Sequence, residues 1–344
     1  LALATYAGSR WFAVPDLWQA SATTLPISQA LGTRLTSIGT LLWDLTLPLL
    51  PALSDATPIH TITDFPAWIT GVFSLVVGIT VISLGKNSPW FRVMLFVAIA
   101  IAPALNLVPL PRFRSPHYGY LASFAIGMTA GLILQIAREQ TSAIRTSIQL
   151  SIVIWIVVAI GTTAAAGFRF SNDHILFASE VARDPEFREG HYYLGLYFKK
   201  QGNLNRATES YSAALHENPN TIAYVDARSA AINLAEIRLT QNRPDEAENL
   251  LAAAANGAPE YRALLITYNR ALIAAQQGKH ERVVTLLANP THQWKRPEPL
   301  LLLARALGNL GRTKEAATAL RKSLPLLNDA QKQKVHILMR QIEQ

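Results

Sequence analysis

Residues 191–219, HYYLGLYFKKQGNLNRATESYSAALHENP, decide how the second half of this chain folds. Leu194, Gly195, Phe198, Gly202, Ala207, Tyr211, Ala214 and Pro219 recur at the spacing of two helices folded back on each other. The small residues let the two helix backbones approach closely. Leu194, Phe198 and Tyr211 fill the gap between them, and Pro219 stops the second helix.

Looser copies follow. Leu234, Ala235, Ala247, Leu251, Ala254 and Pro259 mark a second copy; Ala271, Gly278, Val283 and Leu287 a third; Ala304, Gly311, Ala316 and Leu320 a fourth. The equivalent small positions lie 40, 36 and 33 residues apart, so the connecting loops are irregular. The pattern resembles the tetratricopeptide repeat and implies an α-solenoid over residues 171–344. Residues 173–183 are expected to form a helix capping the first repeat. The polar tail 328–344, with Val335, Leu338, Met339 and Ile342, is expected to close the last one. His191 falls at a core position of the pattern and is expected to pack there.

Residues 1–170 have a different composition. The whole chain is 50% apolar and only 16% charged, against about 25% charged in ordinary soluble domains. The deficit lies in four stretches without a charge, Phe65–Gly85, Val93–Pro111, Gly119–Ala137 and Thr146–Phe168. Each approaches the ~20 apolar residues that a bilayer span requires. Residues 1–14 read as the end of a further span. The chain starts at Leu1 in apolar sequence, so a fragment or a mis-started chain is expected. Residues 32–53 are amphipathic: Leu35, Ile38, Leu42, Leu45 and Leu49 lie on one face and Arg34, Ser37, Thr40 and Asp44 on the other, with Pro48 and Pro51 near the end. Such a helix lies in the headgroup plane or spans with its polar face inward; the interfacial placement is favoured. The expected fold class is therefore all-α: a polytopic helical membrane domain, residues 1–170, followed by the repeat solenoid.

Loop charges give an orientation. Lys86 and Arg92, and Arg138 and Arg145, mark two cytoplasmic loops, whereas residues 54–64 carry Asp55 and Asp64 and no Lys or Arg. Alternation places residues 112–118 and everything after Phe168 outside, in the periplasm if the membrane is a bacterial inner membrane. Arg112, Arg114 and His117 then sit on the side where the rule does not call for them. Guanidinium forks bind phosphate oxygens. Tyr118 and Tyr120 suit a membrane surface, and Asn106, between Pro103 and Pro109, needs a partner for its amide. Two ligands fit the group, the phosphate of a specific lipid or bulk anionic headgroups. Asp55, His60 and Asp64 on the other outer loop include a possible base, with plain solvation as the alternative. In the repeats, Asn233 and Asn269 occupy equivalent positions on the usual concave face and suit a peptide backbone. Tyr192, Lys199 and Lys200 would share that groove, with ordinary surface polarity as the competing explanation.

Other chemistry is absent from the sequence. There is no cysteine, which excludes disulfides and thiol catalysis. No phosphate-binding glycine loop, metalloprotease motif or nucleophile elbow occurs, and the 8 histidines do not pair at metal-ligand spacing. The net charge of +8 is split evenly between the halves without a basic run, so no nucleic-acid partner is expected.

The order of parts resembles the C-terminal portion of the transmembrane-and-tetratricopeptide-repeat O-mannosyltransferases and their bacterial relatives. Pro103, Asn106 and Leu107 match one family motif; Tyr118, Tyr120, Leu121 and Ser123 match a second. The stretch from Thr33 resembles the segment before a third motif, whose aspartate falls near Asp55. The family's Glu-Arg pair falls near Pro116 and His117 and is not kept. The resemblance implies a GT-C glycosyltransferase that uses a polyprenyl-phosphate sugar, with Arg112, Arg114 and His117 on the donor phosphate and the repeats presenting a protein acceptor. It puts the catalytic carboxylates, and any divalent metal they hold, in a segment ahead of Leu1, so this chain alone is expected to be inactive; no cofactor is evident within it. Two alternatives stand beside it: a repeat scaffold anchored in the membrane that gathers envelope proteins without catalysis, and an O-antigen-ligase-type transferase, which would need a longer outer loop than any present here.

Overall fold

A computed structural model describes residues 25–46, 52–106, 110, 112–256, 258, 260–289 and 294–343. The further span expected in residues 1–14 lies outside these, as do Pro48, Leu49, Pro51, Leu107, Pro109 and Pro259. The described residues fold into helices joined by short loops, with one two-residue strand pair. They divide into two compact units: Leu1–Gln201 with His216–Val225, and Gly202–Leu215 with Asp226–Gln344. The expected division at residue 170 lies well before this one, because the helices after Phe168 pack with the first unit.

In the first unit, α1 (Ile27–Thr46), α2 (Phe65–Ser83), α3 (Pro89–Ile101), α4 (Tyr120–Ala137) and α5 (Ser142–Arg169) precede α6 (Asp173–Arg183) and α7 (Arg188–Lys200). Three segments, Phe65–Ser83, Pro116–Ala137 and Ser142–Arg169, are long and apolar enough to cross a membrane. Their large side chains face outward: Phe73 is 63% exposed, Phe124 70% and Val157 62%. A helix apolar all round demands an apolar surrounding.

The expected second span, Val93–Pro111, does not form as one helix. Ser88 caps α3 by accepting from the Trp90 amide. The helix then runs only 13 residues and tightens into a 3-10 turn at Ala102–Leu105. At Asn106 the backbone turns left-handed, with φ 49°. The Asn106 side chain fixes the break: its amide donates to the Phe113 carbonyl, and its Oδ1 accepts from the Leu110 amide at 3.1 Å. Asparagine tolerates this conformation better than most residues.

α1 lies across the loop-bearing ends of its neighbours. The His60 amide donates to Thr33 Oγ1 at 3.0 Å, and Arg34 Nε donates to the Leu105 carbonyl at 2.9 Å. Further along, Leu41 and Leu45 lie against Gly119. The polar face expected to meet water is instead partly the packed face: Gly32, Thr33, Ser37 and Leu41 are buried. Ser37 donates to the Thr33 carbonyl at 2.8 Å and Thr40 to the Thr36 carbonyl at 3.0 Å. Small hydroxyls satisfied within their own helix are buried at little cost. The approach to the loop before α2 is close enough to need glycine, since a Cβ at Gly32 would stand 2.3 Å from the Thr61 carbonyl carbon.

The second unit contains α8 (Leu204–Leu215), α9 (Ala227–Thr240), α10 (Pro244–Ala255), α11 (Glu260–Gln276), α12 (His280–Leu287), α13 (Glu298–Asn309), α14 (Thr313–Ser323) and α15 (Asp329–Glu343). The repeat positions read from the sequence are its core. Ala207, Tyr211, Ala214, Ala247, Ala271, Val283 and Ala316 are sealed from solvent. Gly278 and Gly311 make the turns between paired helices at positive φ, and Asn242 does the same job in the second repeat with φ 57°. Ion pairs cross between helices: Arg262 grips both oxygens of Asp226 at 2.6 Å, and Arg270 donates to Glu248 Oε1 at 2.5 and 2.9 Å. α15 closes the stack through Val335 and Met339, while Leu338 is exposed.

α6 packs on α7, with Phe177 stacked on Tyr193 at 4.6 Å and His174 on Tyr197 at 4.8 Å. His191 does not join a core. It is half-buried, and its Nε2 lies 3.0 Å from the Pro185 carbonyl. A polar ring one helical turn from a free carbonyl takes that partner instead of a dry interior.

Replacing Gly32 by alanine should destabilise the first unit by about 1–3 kcal/mol, because the Thr61 backbone must move. Gly127, whose added Cβ would meet nothing within 4 Å, should accept alanine without loss. Thermal unfolding of the two variants in the same detergent checks the contrast.

Candidate functional site

Residues 52–60 and 112–118 meet at one end of the first unit. Arg114 Nη2 donates to the Ser54 and Ala56 carbonyls at 3.3 and 3.4 Å. Arg112 Nη2 donates to both carboxylate oxygens of Glu189, each at 2.6 Å, and its guanidinium lies 5.7 Å from the centre of the Tyr224 ring. Tyr118 donates its hydroxyl hydrogen to the Arg112 carbonyl at 2.9 Å. His117 Nδ1 sits 2.5 Å from Ser115 Oγ. Asn106, Arg112, Arg114, His117 and Tyr118 thus come together as one cluster. Tyr120 faces outward and is 72% exposed.

The cluster is not an open phosphate fork. Glu189 takes the contact that a phosphate would make with Arg112, and backbone carbonyls take Arg114. Both bonds run from Nη2, one nitrogen shared between two carboxylate oxygens, and that nitrogen is then engaged by Glu189. Glu189 is 77 residues away in sequence and carries no motif, which is why the sequence gives no hint of it.

The neighbouring loop is tied down at nearly every residue. The Leu53 amide donates to Glu180 Oε2 at 2.7 Å, and Ser54 Oγ donates to Asp184 Oδ2 at 2.5 Å. Thr57 and Pro58 (β1) pair antiparallel with Thr221 and Ile222 (β2), and the Ile59 amide donates to the Asn220 carbonyl at 2.8 Å. Within this seam Asp55 is 1% exposed. Its Oδ2 accepts from the Tyr224 amide at 3.0 Å, and its Oδ1 finds no hydrogen-bond partner among the described residues. Burial pushes its pKa up to about 6, opposed by the Tyr224 amide, reinforced by the charge of Glu189 and opposed by that of Arg112. A carboxylate strained in this way often marks a functional site. Sealed from solvent, however, Asp55 cannot touch a substrate in this conformation. The other two outer-loop candidates are local: Asp64 accepts from the Thr61 amide and hydroxyl, each at 2.8 Å, and lies 3.4 Å from His60 Nδ1.

The groove candidates fall in both units. In the first, Tyr192 meets the edge of Tyr193 at 5.4 Å, and Lys199 and Lys200 occupy the last turn of α7. In the second, Asn233 Nδ2 donates to the Ser229 carbonyl at 2.8 Å. Asn269 is 3% exposed, and its Nδ2 has no hydrogen-bond partner among the described residues. An unpaired buried amide donor costs about 1–3 kcal/mol.

Asp55→Asn should remove a pH dependence. The folded state holds the Asp55 proton more tightly than the unfolded chain, so the contribution is fully present below about pH 4 and is lost as pH rises through 6. The loss should be about 3 kcal/mol at most. The asparagine variant should therefore unfold at a higher temperature than the parent at pH 8 and at the same temperature at pH 4. Melting curves at the two pH values decide it.

Comparison with known proteins places the repeats. Two family models, each described as tetratricopeptide repeat, match residues 198–266 and 297–322. No curated protein matches the chain. Among solved structures, the crystal structure of yeast Tom70 aligns with 98% of this chain and 84% of its own at 13% identity, with a TM-score of 0.29, too slight a likeness to bear on fold or function.

Proposed function

We propose that this protein is a membrane-anchored docking protein whose tetratricopeptide repeats bind a protein or peptide partner. The observation that carries the proposal is the repeat core itself. The matched segments pack Ala207, Ala247 and Ala316 at full burial, and Ala271 and Val283 between them are equally sealed; repeats of this kind commonly bind protein partners. Anchoring rests on the three outward-facing apolar helices. The orientation proposed is the one that loop charge favours, with Lys86, Arg92, Arg138 and Arg145 in the cytoplasm and the repeats on the periplasmic face of a bacterial inner membrane. The two arginines on the outer side do not oppose it, since both are engaged within the protein.

Asn233→Leu in the whole chain, held in lipid nanodiscs, tests the docking surface; Asn269, at 3% exposure, does not reach a ligand. The parent should enrich peptides from a displayed random library. The variant should bind those peptides at least about tenfold more weakly while keeping the parent's unfolding temperature. Unchanged binding would take the groove out of the proposal.

A second function, part of a GT-C transferase that uses a polyprenyl-phosphate sugar, is favoured by one arrangement. The residues carrying the family resemblance, Asn106, Tyr118 and the segment around Asp55, gather at the same end of the helices as Arg112 and Arg114. In a full-length transferase, Arg112→Ala with Arg114→Ala should abolish sugar transfer. Glu189→Gln, which frees the Arg112 guanidinium for a phosphate, should preserve it. Equal loss in both variants would mark the arginines as structural and remove the donor site.

A further inference from the structure

The elbow between α5 and α6 is built with its charge turned inward. Arg169, the last residue of α5, pairs with Glu180, itself 1% exposed, and its Nη2 lies 3.4 Å from Ser179 Oγ. The turn satisfies its own polar backbone. The Ser171 amide donates to the Phe168 carbonyl at 3.2 Å, and Asn172 caps α6 by accepting from the His174 and Ile175 amides. What remains on the outside includes three large apolar side chains: Phe168 at 72% exposure, Phe170 at 61% and Ile175 at 44%.

These residues continue the apolar surface of α5, which lacks any charge between Arg145 and Arg169. Those 23 residues span roughly 35 Å at the helical rise, a little more than a hydrocarbon core. A helix leaving a membrane usually shows a hydrated basic charge at that point; here the Arg169 guanidinium faces the protein, the exposed charge is the acidic Asp173 at the start of α6, and aromatic rings face out beside it. Aromatic residues also occupy the first turns of the other long apolar helices, with Phe65 70% and Tyr120 72% exposed. Exposed rings at the ends of apolar helices suit the boundary between headgroups and acyl chains.

We infer that the α5–α6 elbow lies in that boundary, with Phe168, Phe170 and Ile175 inserted among the lipids and α6 running along the membrane surface. The occupant of this patch is the bilayer, because the patch is continuous with the apolar face of α5. The inference rests on the spanning of α5, and its test separates the two.

The chain has no cysteine, so a single introduced one is a unique labelling site. Val157→Cys, Phe170→Cys, Ile175→Cys and Thr318→Cys would each carry an environment-sensitive fluorophore in vesicles of phosphatidylcholine. The lipids are brominated either near the ester end or near the middle of the acyl chain. The label at 157 should be quenched most by the mid-chain lipid. The labels at 170 and 175 should lose roughly half their intensity to the ester-end lipid and less to the other, and the label at 318 should lose none. Labels at 170 and 175 that escape both lipids while 157 is quenched would overturn the inference and leave the span intact; blue-shifted but unquenched labels, covered by protein, would overturn it equally. An unquenched label at 157 would remove the span, and the inference with it.

Discussion

A buried carboxylate with one hydrogen bond holds the first unit to a narrow set of arrangements. Asp55 cannot stay ionised in a dry seam unless something lowers the cost. Its own amide helps a little, and two more distant groups do so as well: the Tyr224 amide and the field of Arg112. Each depends on distant parts of the chain being in place. Tyr224 is presented by the segment whose strand pairs with Thr57 and Pro58, and Arg112 is held by Glu189. Breaking one partner from such a cluster leaves an uncompensated charge, which costs far more than the pair contributes. The loop at 52–60 is therefore specified by electrostatics as much as by packing. Its Leu53 amide, Ser54 hydroxyl and Asp55 carboxylate meet Glu180 of α6, Asp184 just after it and the Tyr224 amide, while the His60 amide meets Thr33 of α1.

The charge balance of this cluster bears on ligand chemistry. Asp55 and Glu189 offset Arg112 and Arg114, and the Arg114 Nη2 is committed to carbonyl oxygens. An added phosphate would bring further negative charge beside two carboxylates. At the Arg112 Nη2 it would have to displace Glu189, whose two oxygens stand 2.6 Å away and are only partly open to water.

What could be read from the sequence follows from the range of each interaction. The repeat core was legible because its determinants are local: small residues at fixed spacing within a helix pair, and a glycine at positive φ in the turn. The second copy looked loose partly because Asn242 fills the turn where other copies have glycine. Three apolar helices were legible from composition alone, and the amphipathic helix from its period. The break in the expected second span was half legible. Asn106 was flagged as needing a partner, but the partner, Phe113 O, depends on a turn that hydropathy does not encode. The seam was not legible at all. Tyr224 lies 169 residues from Asp55, Asp184 lies 130 from Ser54, and none of these residue types is unusual where it stands.

The same distinction explains the two arginines on the outer side. Loop-charge rules treat each Lys or Arg as a hydrated charge that resists crossing the membrane. In the folded protein Arg112 and Arg114 have become part of a closed polar network, neutralised by a carboxylate from α7 and by carbonyl dipoles of the neighbouring loop. Arg169 is a third instance, turned away from the bilayer side onto Glu180. Three guanidiniums near the ends of apolar helices therefore serve the fold, binding loops and the first repeat helices to the helical bundle. At the opposite ends of the helices Lys86, Arg92, Arg138 and Arg145 are all exposed, Arg92 in the first turn of α3 and Arg145 in the first turn of α5. A charge that is spent on a protein partner says little about topology, whereas one left to water says a good deal.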